Sequence, residues 1–305
     1  MTDALPVLTG FLAAAVRIST PLLLAATGEL VNERAGVINL GVEGAMLAGA
    51  LASAVGAVAL GPWAGVLGAV LAGVAIAGIF AAVALGARAD QIITGTAVTL
   101  ASVGLTGAVY RRAFGAGGPG LSLPTFAPFP IPVLRDLPVL GPALFEQPGL
   151  TYLAWLLVPL AAWFLFRSWW GLALRATGES AEAARASGVP VRRVQVLATL
   201  AGGALAGLAG ATLVLAQVGT FAEKMTAGRG FIAIAIVVLG RWRPLGVLLA
   251  ALLFGGASAL QFGVQAMGLA LPYQLFLVLP HLLALAALAG ASRGARVRAP
   301  AGLGR

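Results

Sequence analysis

The sequence contains no cysteine and a single histidine in 305 residues. The absence of cysteine excludes a disulfide framework, a cysteine-based zinc site and a thiol nucleophile. One histidine leaves too few ligands for a histidine-based metal centre, and no paired aspartates stand out as catalytic candidates. No stretch matches GxxxxGK[ST], so the chain does not bind ATP through a P-loop. We therefore expect no catalytic residues, no metal and no cofactor.

Charged residues are also scarce, at 10% of the chain, whereas hydrophobic residues make up 60% and the mean hydropathy is +1.00. A soluble domain carries about a quarter charged residues, so lipid is the expected solvent. The net charge of +9 comes almost entirely from arginines that are spread between apolar blocks without interleaved aromatic residues. This pattern favours membrane topology determinants over nucleic-acid binding.

A membrane-spanning helix needs about 20 apolar residues. The candidate spans are 5–27, 36–60, 62–86, 91–110, 149–166, 194–218, 244–263 and 271–290, with 229–240 as a shorter candidate. The expected fold is an all-α polytopic membrane protein with about nine transmembrane helices, within a range of about eight to ten. Residues 1–305 then form a single transmembrane domain, and 5–27 is interpreted as a retained first span because no basic segment precedes it.

Arginine distribution predicts the orientation of the chain. Loop 167–193 and tail 291–305 are rich in arginine, so both are expected on the cytoplasmic side. Nine crossings then place the N-terminus outside the cytoplasm. They also make 113–148, which is rich in glycine and proline, an irregular extracytoplasmic loop.

Several polar residues interrupt the apolar blocks. Glu43 lies inside a predicted span, where a charge costs roughly 2.5–3.5 kcal/mol on insertion scales. Asn39, four residues earlier, is expected on the same helix face. Both residues either bridge neighbouring helices or line a translocation path. Further path candidates are Thr94, Thr99 and Gln217, although such side chains also stabilise helix contacts.

Two other polar patterns have simpler interpretations. The segment 29–34 (ELVNER) is expected at a cytoplasmic helix start, solvated or paired within itself. Gly203, Gly207 and Ala211 repeat every four residues, which predicts a helix face that a neighbouring helix can approach closely.

One polar, alanine-rich segment, ATGESAEAARASGVPVRR, separates two apolar blocks at 176–193. Thr177 is the predicted N-cap of a helix over 178–187, Gly188 is suited to its C-terminal end, and Pro190 stops its continuation. Such a helix is too short and polar to span a bilayer, and marginal in isolation. We therefore expect it to dock against a cytoplasmic partner.

Three regions resemble a known family in the same order along the chain. The sequence RATGESAEAARASGVPVRRVQVLATLAGGALAGLAGA is similar to the cytoplasmic coupling loop of binding-protein-dependent ABC transporter permeases. ELVNERAGVINLGVEGAMLAGA and GRGFIAIAIVVLGRWRPLG resemble segments of the simple-sugar and nucleoside branch, within the branched-chain amino acid and ribose permease superfamily. The residues at the family's coupling positions are Gly178, Glu179, Ala183, Ala184 and Gly188.

This resemblance implies a type II ABC importer-like transmembrane domain in the cell membrane. The implied partners are cytoplasmic ATPase subunits, a second permease that is identical or a sister chain, and an extracytoplasmic substrate-binding protein or lipoprotein. ATP hydrolysis would take place in the separate ATPase subunit, so the permease is not itself an enzyme. Within the branch, the motifs look most like those of nucleoside permeases, so the expected solute is a small uncharged nucleoside.

Alternatives remain at this stage. Within the same class, the solute is a simple sugar of the ribose or galactose type, or a branched-chain amino acid. In a different class, an ion-coupled secondary transporter would need membrane-embedded acids or an ion site at a broken helix. Glu43 is the deep acidic candidate for such a site. A secondary transporter would have no need of the docking helix.

Overall fold

The computed structural model describes residues 4–115, 122–266, 282 and 299–304. The described α-helices are α1 (Ala4–Arg34), α2 (Val42–Leu60), α3 (Pro62–Phe80), α4 (Gln91–Phe114), α5 (Leu140–Phe145), α6 (Gly149–Arg167), α7 (Trp169–Glu179), α8 (Ala181–Ala186), α9 (Val191–Thr212), α10 (Arg229–Leu239) and α11 (Pro244–Ala266). π-helical turns at Ala81–Gly86 and Leu213–Val218 extend α3 and α9, and Leu134–Asp136 forms a 3₁₀ turn. Two short strands, β1 (Pro128–Pro130) and β2 (Glu146–Pro148), pair in antiparallel fashion.

Seven of the described helices are long and apolar enough to cross a bilayer. Their outer faces carry exposed leucine, isoleucine, valine and tryptophan side chains, as a lipid solvent requires. The shorter α10 contributes an apolar helix of 11 residues. The predicted span 271–290 lies outside the described residues except for Leu282, as does part of the predicted tail. The expectation of an all-α multi-pass membrane protein with about nine helices agrees with this architecture.

Small residues bring α2, α3 and α9 into close contact at the centre of the bundle. A Cβ atom built at Gly49 would lie 2.5 Å from Gly207 Cα, and one built at Gly73 would lie 2.8 Å from the same atom. A Cβ at Gly203 would collide with the Cβ of Ala77. The predicted close-packing role of these glycines is therefore confirmed, because backbones at this spacing leave no room for side chains.

Two predicted helix boundaries are wrong around residue 35. The first helix runs on to Arg34, well past the predicted end of 5–27, and the second starts at Val42 rather than at residue 36. Residues 35–41 are not helical, and Gly36 has φ +84°, a left-handed conformation that glycine adopts at little cost. Asn39 therefore does not share a helix face with Glu43, contrary to the prediction.

Different sets of polar contacts mark the two ends of the helix bundle. At one, which we call the coupling end, Arg34 donates to the carbonyl oxygen of Trp242 through Nε and Nη2, at 2.9 and 2.6 Å. Arg192 Nη2 donates to the Gly86 carbonyl at the same end, at 3.3 Å. Loop 167–193 therefore lies beside the turns that end α1 and α3.

The opposite end is closed by the segment that joins α4 to α6. In its described part, this segment contains only short elements, as its glycine and proline content predicts. Tyr152 supports the β1–β2 pair, since its hydroxyl donates to the Phe129 carbonyl and accepts from the Gln147 N–H, both at 3.0 Å. Arg111 and Glu223 form an ion pair of 2.7 Å at this end.

Candidate functional site

The break between α1 and α2 is a non-helical stretch buried inside the bundle. Backbone groups without helical partners are costly in a bilayer, and they are tolerated where protein groups satisfy them. Ile38 N–H donates to Gln91 Oε1 at 2.8 Å, and Thr99 Oγ1 donates to the Leu40 carbonyl at 3.0 Å. Polar side chains of α4 therefore support the non-helical backbone between α1 and α2.

Glu29 supports the same break from α1. Its Oε1 accepts from the Asn39 N–H at 2.9 Å, and its Oε2 accepts from Asn32 Nδ2 at 2.8 Å. Asn39 in turn closes a local turn by accepting from the Gly41 N–H at 3.0 Å. Asn39 thus acts on its own backbone instead of bridging two helices with its side chain.

Glu43 caps the N-terminus of α10 from α2. Its Oε1 accepts from Thr226 Oγ1 at 2.6 Å and from the Gly228 N–H at 2.8 Å, and its Oε2 accepts from the Gly230 N–H at 2.6 Å. A carboxylate at a helix N-terminus satisfies orphan N–H groups and interacts favourably with the helix dipole. These three bonds explain how a buried acid is accommodated, and they support the predicted bridging role.

The break runs from the coupling end, where the Gly36 carbonyl accepts from the Gly304 N–H, to Glu43 in the first turn of α2. Gly44, next to Glu43, packs against Thr99 and Ser102, about a third of the way along α4. The Ser102 hydroxyl is buried and has no hydrogen-bond partner among the described residues. Thr94 is also buried on α4, beside Gly95, which contacts Leu40 of the break.

Gln217 lies apart from these residues. It belongs to the π-helical extension of α9, and its Nε2 donates to the Arg17 carbonyl of α1 at 2.5 Å. The other four path candidates, Asn39, Glu43, Thr94 and Thr99, are buried around the break. The predicted set is thus divided into one group of four and one separate residue.

The segment 29–34 was expected at a helix start, with its polar side chains solvated or paired with one another. The pairing is observed between Asn32 and Glu29, whereas the helix start and the solvation are wrong. Glu29 and Glu33 are both fully buried, and they belong to the last turns of a helix and not to its start. Glu33 Oε2 accepts from Trp242 Nε1 through a short hydrogen bond, while its Oε1 has no partner. The motif was misread because a polar run at the end of a span resembles a solvated helix terminus.

The predicted docking helix exists in shorter form. Thr177 is not its N-cap, since its hydroxyl donates to Ala173 O within α7. Ser180 is the cap and accepts from the Ala183 N–H at 3.2 Å, so α8 begins at Ala181. The chain breaks at Ser180 because its backbone is extended, with φ −153° and ψ 104°. Residues 178 and 179 therefore belong to the preceding helix.

The predicted end of this helix is confirmed. Gly188 has φ +82°, its N–H donates to Arg185 O, and the Val189 N–H donates to Ala184 O, each at 3.0 Å. This pair of bonds is the Schellman arrangement, which favours glycine at the left-handed position. Ala184 is the buried residue of α8, and the rest of the helix is partly or fully exposed. The helix therefore projects from the coupling end.

The segment 299–304 packs on the base of this projection. Gly302 N–H donates to the Gly178 carbonyl at 2.8 Å, and Gly304 N–H donates to the Gly36 carbonyl at 3.2 Å. A Cβ on Gly178 would collide with the carbonyl oxygen of Arg34, so its glycine allows α7 to touch the end of α1. No sequence motif pointed to this three-way contact, because its partners are far apart along the chain.

Among the residues that the structure describes, no three histidine, cysteine or acidic side chains are arranged to hold a metal ion. The polar groups of the break instead serve backbone hydrogen bonds. Their chemistry suits helix positioning and the binding of neutral polar groups.

Comparison with known proteins places these features in a family. Residues 11–288 match the family model of the branched-chain amino acid transport system permease component. The chain is 43% identical over 267 residues to the putative glucose ABC transporter permease protein TsgC13 of Haloferax volcanii, covering 86% of this chain and 80% of that protein. No solved structure matches the chain significantly.

Two further relatives are named as permeases for guanosine and for nucleosides. The guanosine ABC transporter permease protein NupQ of Bacillus subtilis is 33% identical over 300 residues, which is 94% of this chain and 93% of the relative. The nucleoside ABC transporter permease protein NupC of Lactococcus lactis is 33% identical over 245 residues, covering 78% and 77%. Since the family model matches residues 11–288 and these relatives align with most of the chain, the chain belongs to this permease family and is the membrane-spanning permease subunit of an ABC transporter.

Proposed function

We propose that this chain forms the solute path of an ATP-driven importer for nucleosides. The observation that carries the mechanism is α8, a capped helix that projects from the coupling end and is exposed except at Ala184. A short helix that packs on α7, which itself touches the end of α1, transmits a push into the bundle better than a flexible loop. The coupling residues are Gly178, Glu179, Ala183, Ala184 and Gly188.

The partners follow from this mechanism. Separate ATPase subunits bind at the coupling end and hydrolyse ATP, while a second permease, identical or a sister chain, completes the path. An extracytoplasmic substrate-binding protein or lipoprotein delivers the solute. The coupling end faces the cytoplasm, because loop 167–193 and tail 291–305 concentrate arginine. The N-terminus and segment 113–148 then lie on the outer side.

Movement of α8 has a direct mechanical route to the break. Gly178 at the base of α8 touches Arg34 at the end of α1, and the break at 35–41 begins there. Asn39, Thr94 and Thr99 surround the break, and Glu43 fixes α10 beside it. A push on α8 therefore acts on the polar residues that we assign to the path. Gln217 contributes from a separate position.

Nucleosides are the first candidate solute. Two relatives that align with most of the chain are named for guanosine and for nucleosides. The Ser102 hydroxyl, which has no hydrogen-bond partner among the described residues, suits the neutral hydrogen-bonding groups of a nucleoside. Glucose is the second candidate, because the relative with 43% identity carries that name.

ATP-dependent uptake into vesicles containing the full assembly tests the solute. Labelled guanosine and uridine are offered, with glucose, ribose and galactose as competitors. Nucleoside uptake that the sugars do not reduce is the expected result. Uptake of labelled glucose without nucleoside uptake would assign the chain to the sugar branch and contradict the first candidate.

Charge reversal at Glu179 tests the coupling role separately. Glu179 is exposed at the end of α7, and its Oε2 accepts from the Ala301 N–H at 3.4 Å. Glu179→Arg should leave the protein folded and inserted while ATP hydrolysis no longer drives uptake. The matched control is Glu179→Gln, which keeps the size of the side chain and should retain most uptake. Normal coupling in Glu179→Arg would exclude a docking role for this position.

A further inference from the structure

Three arginines line one polar groove at the coupling end. Arg88, Arg185 and Arg192 surround a cavity of about 440 Å³ between the turn before α4, the exposed side of α8 and the start of α9. Its lining also contains Gln91 and Gln195, which can donate hydrogen bonds. The turn before α4, α8 and α9 thus each contribute one arginine to the lining of the same cavity.

The positive charge of this groove is not balanced by ion pairs. Among the described residues, the ion pairs are Arg111–Glu223 and Arg135–Asp136, and neither lies at the groove. The one acidic residue of the lining, Asp90, accepts from the Ile93 N–H at 2.8 Å as the N-cap of α4. Among the described lining residues, three guanidinium groups therefore stand against a single carboxylate that is already engaged.

The N-terminus of α9 adds to the positive electrostatic potential of the groove. Pro190 precedes the helix and no side chain caps its first N–H groups. An uncapped helix N-terminus carries roughly half a positive charge and offers N–H donors to an anion. Val191 and Arg192 at this terminus both line the groove, so the helix and the arginines act on one site.

A second hollow continues from the groove and is apolar. It has a volume of about 640 Å³, shares Arg185, Val191 and Arg192 with the groove, and runs on to Val196 and Leu197. Leu197 is 58% exposed on a helix that is long and apolar enough to cross a bilayer. The site thus joins an anion-binding part to a surface suited to an acyl chain.

We propose that this composite site binds one anionic phospholipid at the coupling end. The phosphate occupies the groove between Arg88, Arg185 and Arg192, and an acyl chain lies over Val196 and Leu197. Basic pockets at the ends of transmembrane helices favour anionic headgroups, and guanidinium groups match phosphate oxygens bidentately. An acidic segment of a soluble partner would satisfy the arginines but leave the apolar hollow unfilled, so the lipid fits both parts.

The bound lipid would connect α8 to the bundle. Arg185 belongs to α8, whereas Arg88 and Arg192 belong to the turn before α4 and to α9. A phosphate shared by these three groups restrains the projecting helix in addition to its packing against α7 and α9. This binding site is independent of the identity of the transported solute.

Lipid retention measures the site directly. The full-length permease is reconstituted in nanodiscs of phosphatidylcholine containing a minor fraction of phosphatidylglycerol, and retained lipid is identified by native mass spectrometry. The expected result is preferential retention of phosphatidylglycerol by the wild-type protein. The triple variant Arg88→Gln, Arg185→Gln, Arg192→Gln should lose this preference at least tenfold.

Two further variants separate the site from general effects of charge and folding. Arg88→Gln with Arg185→Gln leaves the Arg192–Gly86 bond intact, and should weaken retention without changing the melting temperature in phosphatidylcholine alone. Arg167→Gln removes a basic residue from the same end but outside the groove, and should retain phosphatidylglycerol as the wild type does. Equal retention by the triple variant and the wild type would overturn the proposal.

Two other outcomes would also overturn it. Displacement of the lipid by inorganic phosphate at low millimolar concentration, with no dependence on acyl chain length, would make the groove a free-anion site. Loss of ATPase-subunit binding in the triple variant, with unchanged lipid retention, would assign the arginines to a protein partner. Retention of a lyso-lipid with one chain, but not of glycerophosphoglycerol, would support the role of the apolar hollow.

Discussion

The carboxylate of Glu43 accepts a hydrogen bond from the Gly230 N–H at 2.6 Å. An acid on α2 therefore caps the N-terminus of α10, which begins 186 residues later in the chain. The first prediction concerns this cap. Glu43→Ala should lower the free energy of unfolding by about 2–4 kcal/mol, because it leaves several buried donors unsatisfied at once. Chemical unfolding in detergent measures the change.

Glu223→Ala is the matched control for Glu43→Ala. It also removes a carboxylate, but its ion pair with Arg111 is substantially exposed, with side-chain exposures of 39% and 50%. An exposed ion pair contributes about 0–1 kcal/mol. Equal destabilisation by the two substitutions would show that the cap on α10 does not hold this helix.

The second prediction concerns the glycine contact between α3 and α9. A Cβ on Gly207 would collide with the Ala69 carbonyl oxygen, which is backbone and cannot move aside easily. Gly207→Ala should therefore destabilise the protein by about 1–3 kcal/mol, as overpacking does. Gly256→Ala in α11, where no atom lies within 4 Å of the added Cβ, should be neutral or stabilising. Melting temperatures of the two variants in one detergent give the comparison, and a reversed order would refute the packing argument.

The third prediction distinguishes two glycines of the coupling segment by the reason each is needed. Gly188 has φ +82° and open space around it, whereas Gly178 lacks space because of the Arg34 carbonyl. Asparagine tolerates left-handed backbone conformations. Gly188→Asn should therefore retain most coupled uptake, and Gly178→Asn should lose it. Gly188→Val should cost more than Gly188→Asn, since a β-branched residue is strained at positive φ. Uptake per ATP hydrolysed is the measurement.

The fourth prediction concerns the N-cap of α8. Ser180→Ala removes the acceptor for the Ala183 N–H and should reduce the local stability of α8 by about 0.5–2 kcal/mol. Faster hydrogen exchange at residues 183–186 reports the loss. Ser187→Ala, which only removes a hydroxyl bond to the Ala183 carbonyl, should change exchange little. Ser180→Asp should preserve the cap, so fast exchange in that variant would contradict the assignment.

Apolar runs predicted most of the spans because lipid burial depends on length and composition. The same signal could not locate the break at 35–41, since the apolar character continues through it in GVINLGV. The break is stabilised by Gln91, Thr99 and Glu29, which come from two other stretches of the chain. Such long-range hydrogen bonds leave no local pattern, so the helix that was predicted from residue 36 begins at Val42.

At the candidate site, too, features that depend on neighbouring residues were predicted, whereas contacts between distant residues were not. The role of Gly188 at the C-terminal end of α8 was predicted correctly, because the signals that end a helix lie in adjacent residues. Thr177 was predicted as the cap, but Ser180 caps α8, because only the fold decides at which residue the backbone is extended. Glu43 was recognised as unusual from its apolar neighbours, but its partners Thr226 and Gly230 were not predictable from local sequence.

The contacts of Gly302 with Gly178, and of Gly304 with Gly36, also set an order of assembly. The segment 299–304 is synthesised after α1, α7 and α8, so the surface at the coupling end cannot be complete while the intervening helices are still being inserted. Until that segment is in place, the carbonyl oxygens of Gly178 and Gly36 lack these N–H partners, so the base of α8 is completed by residues that lie more than 100 positions later in the chain.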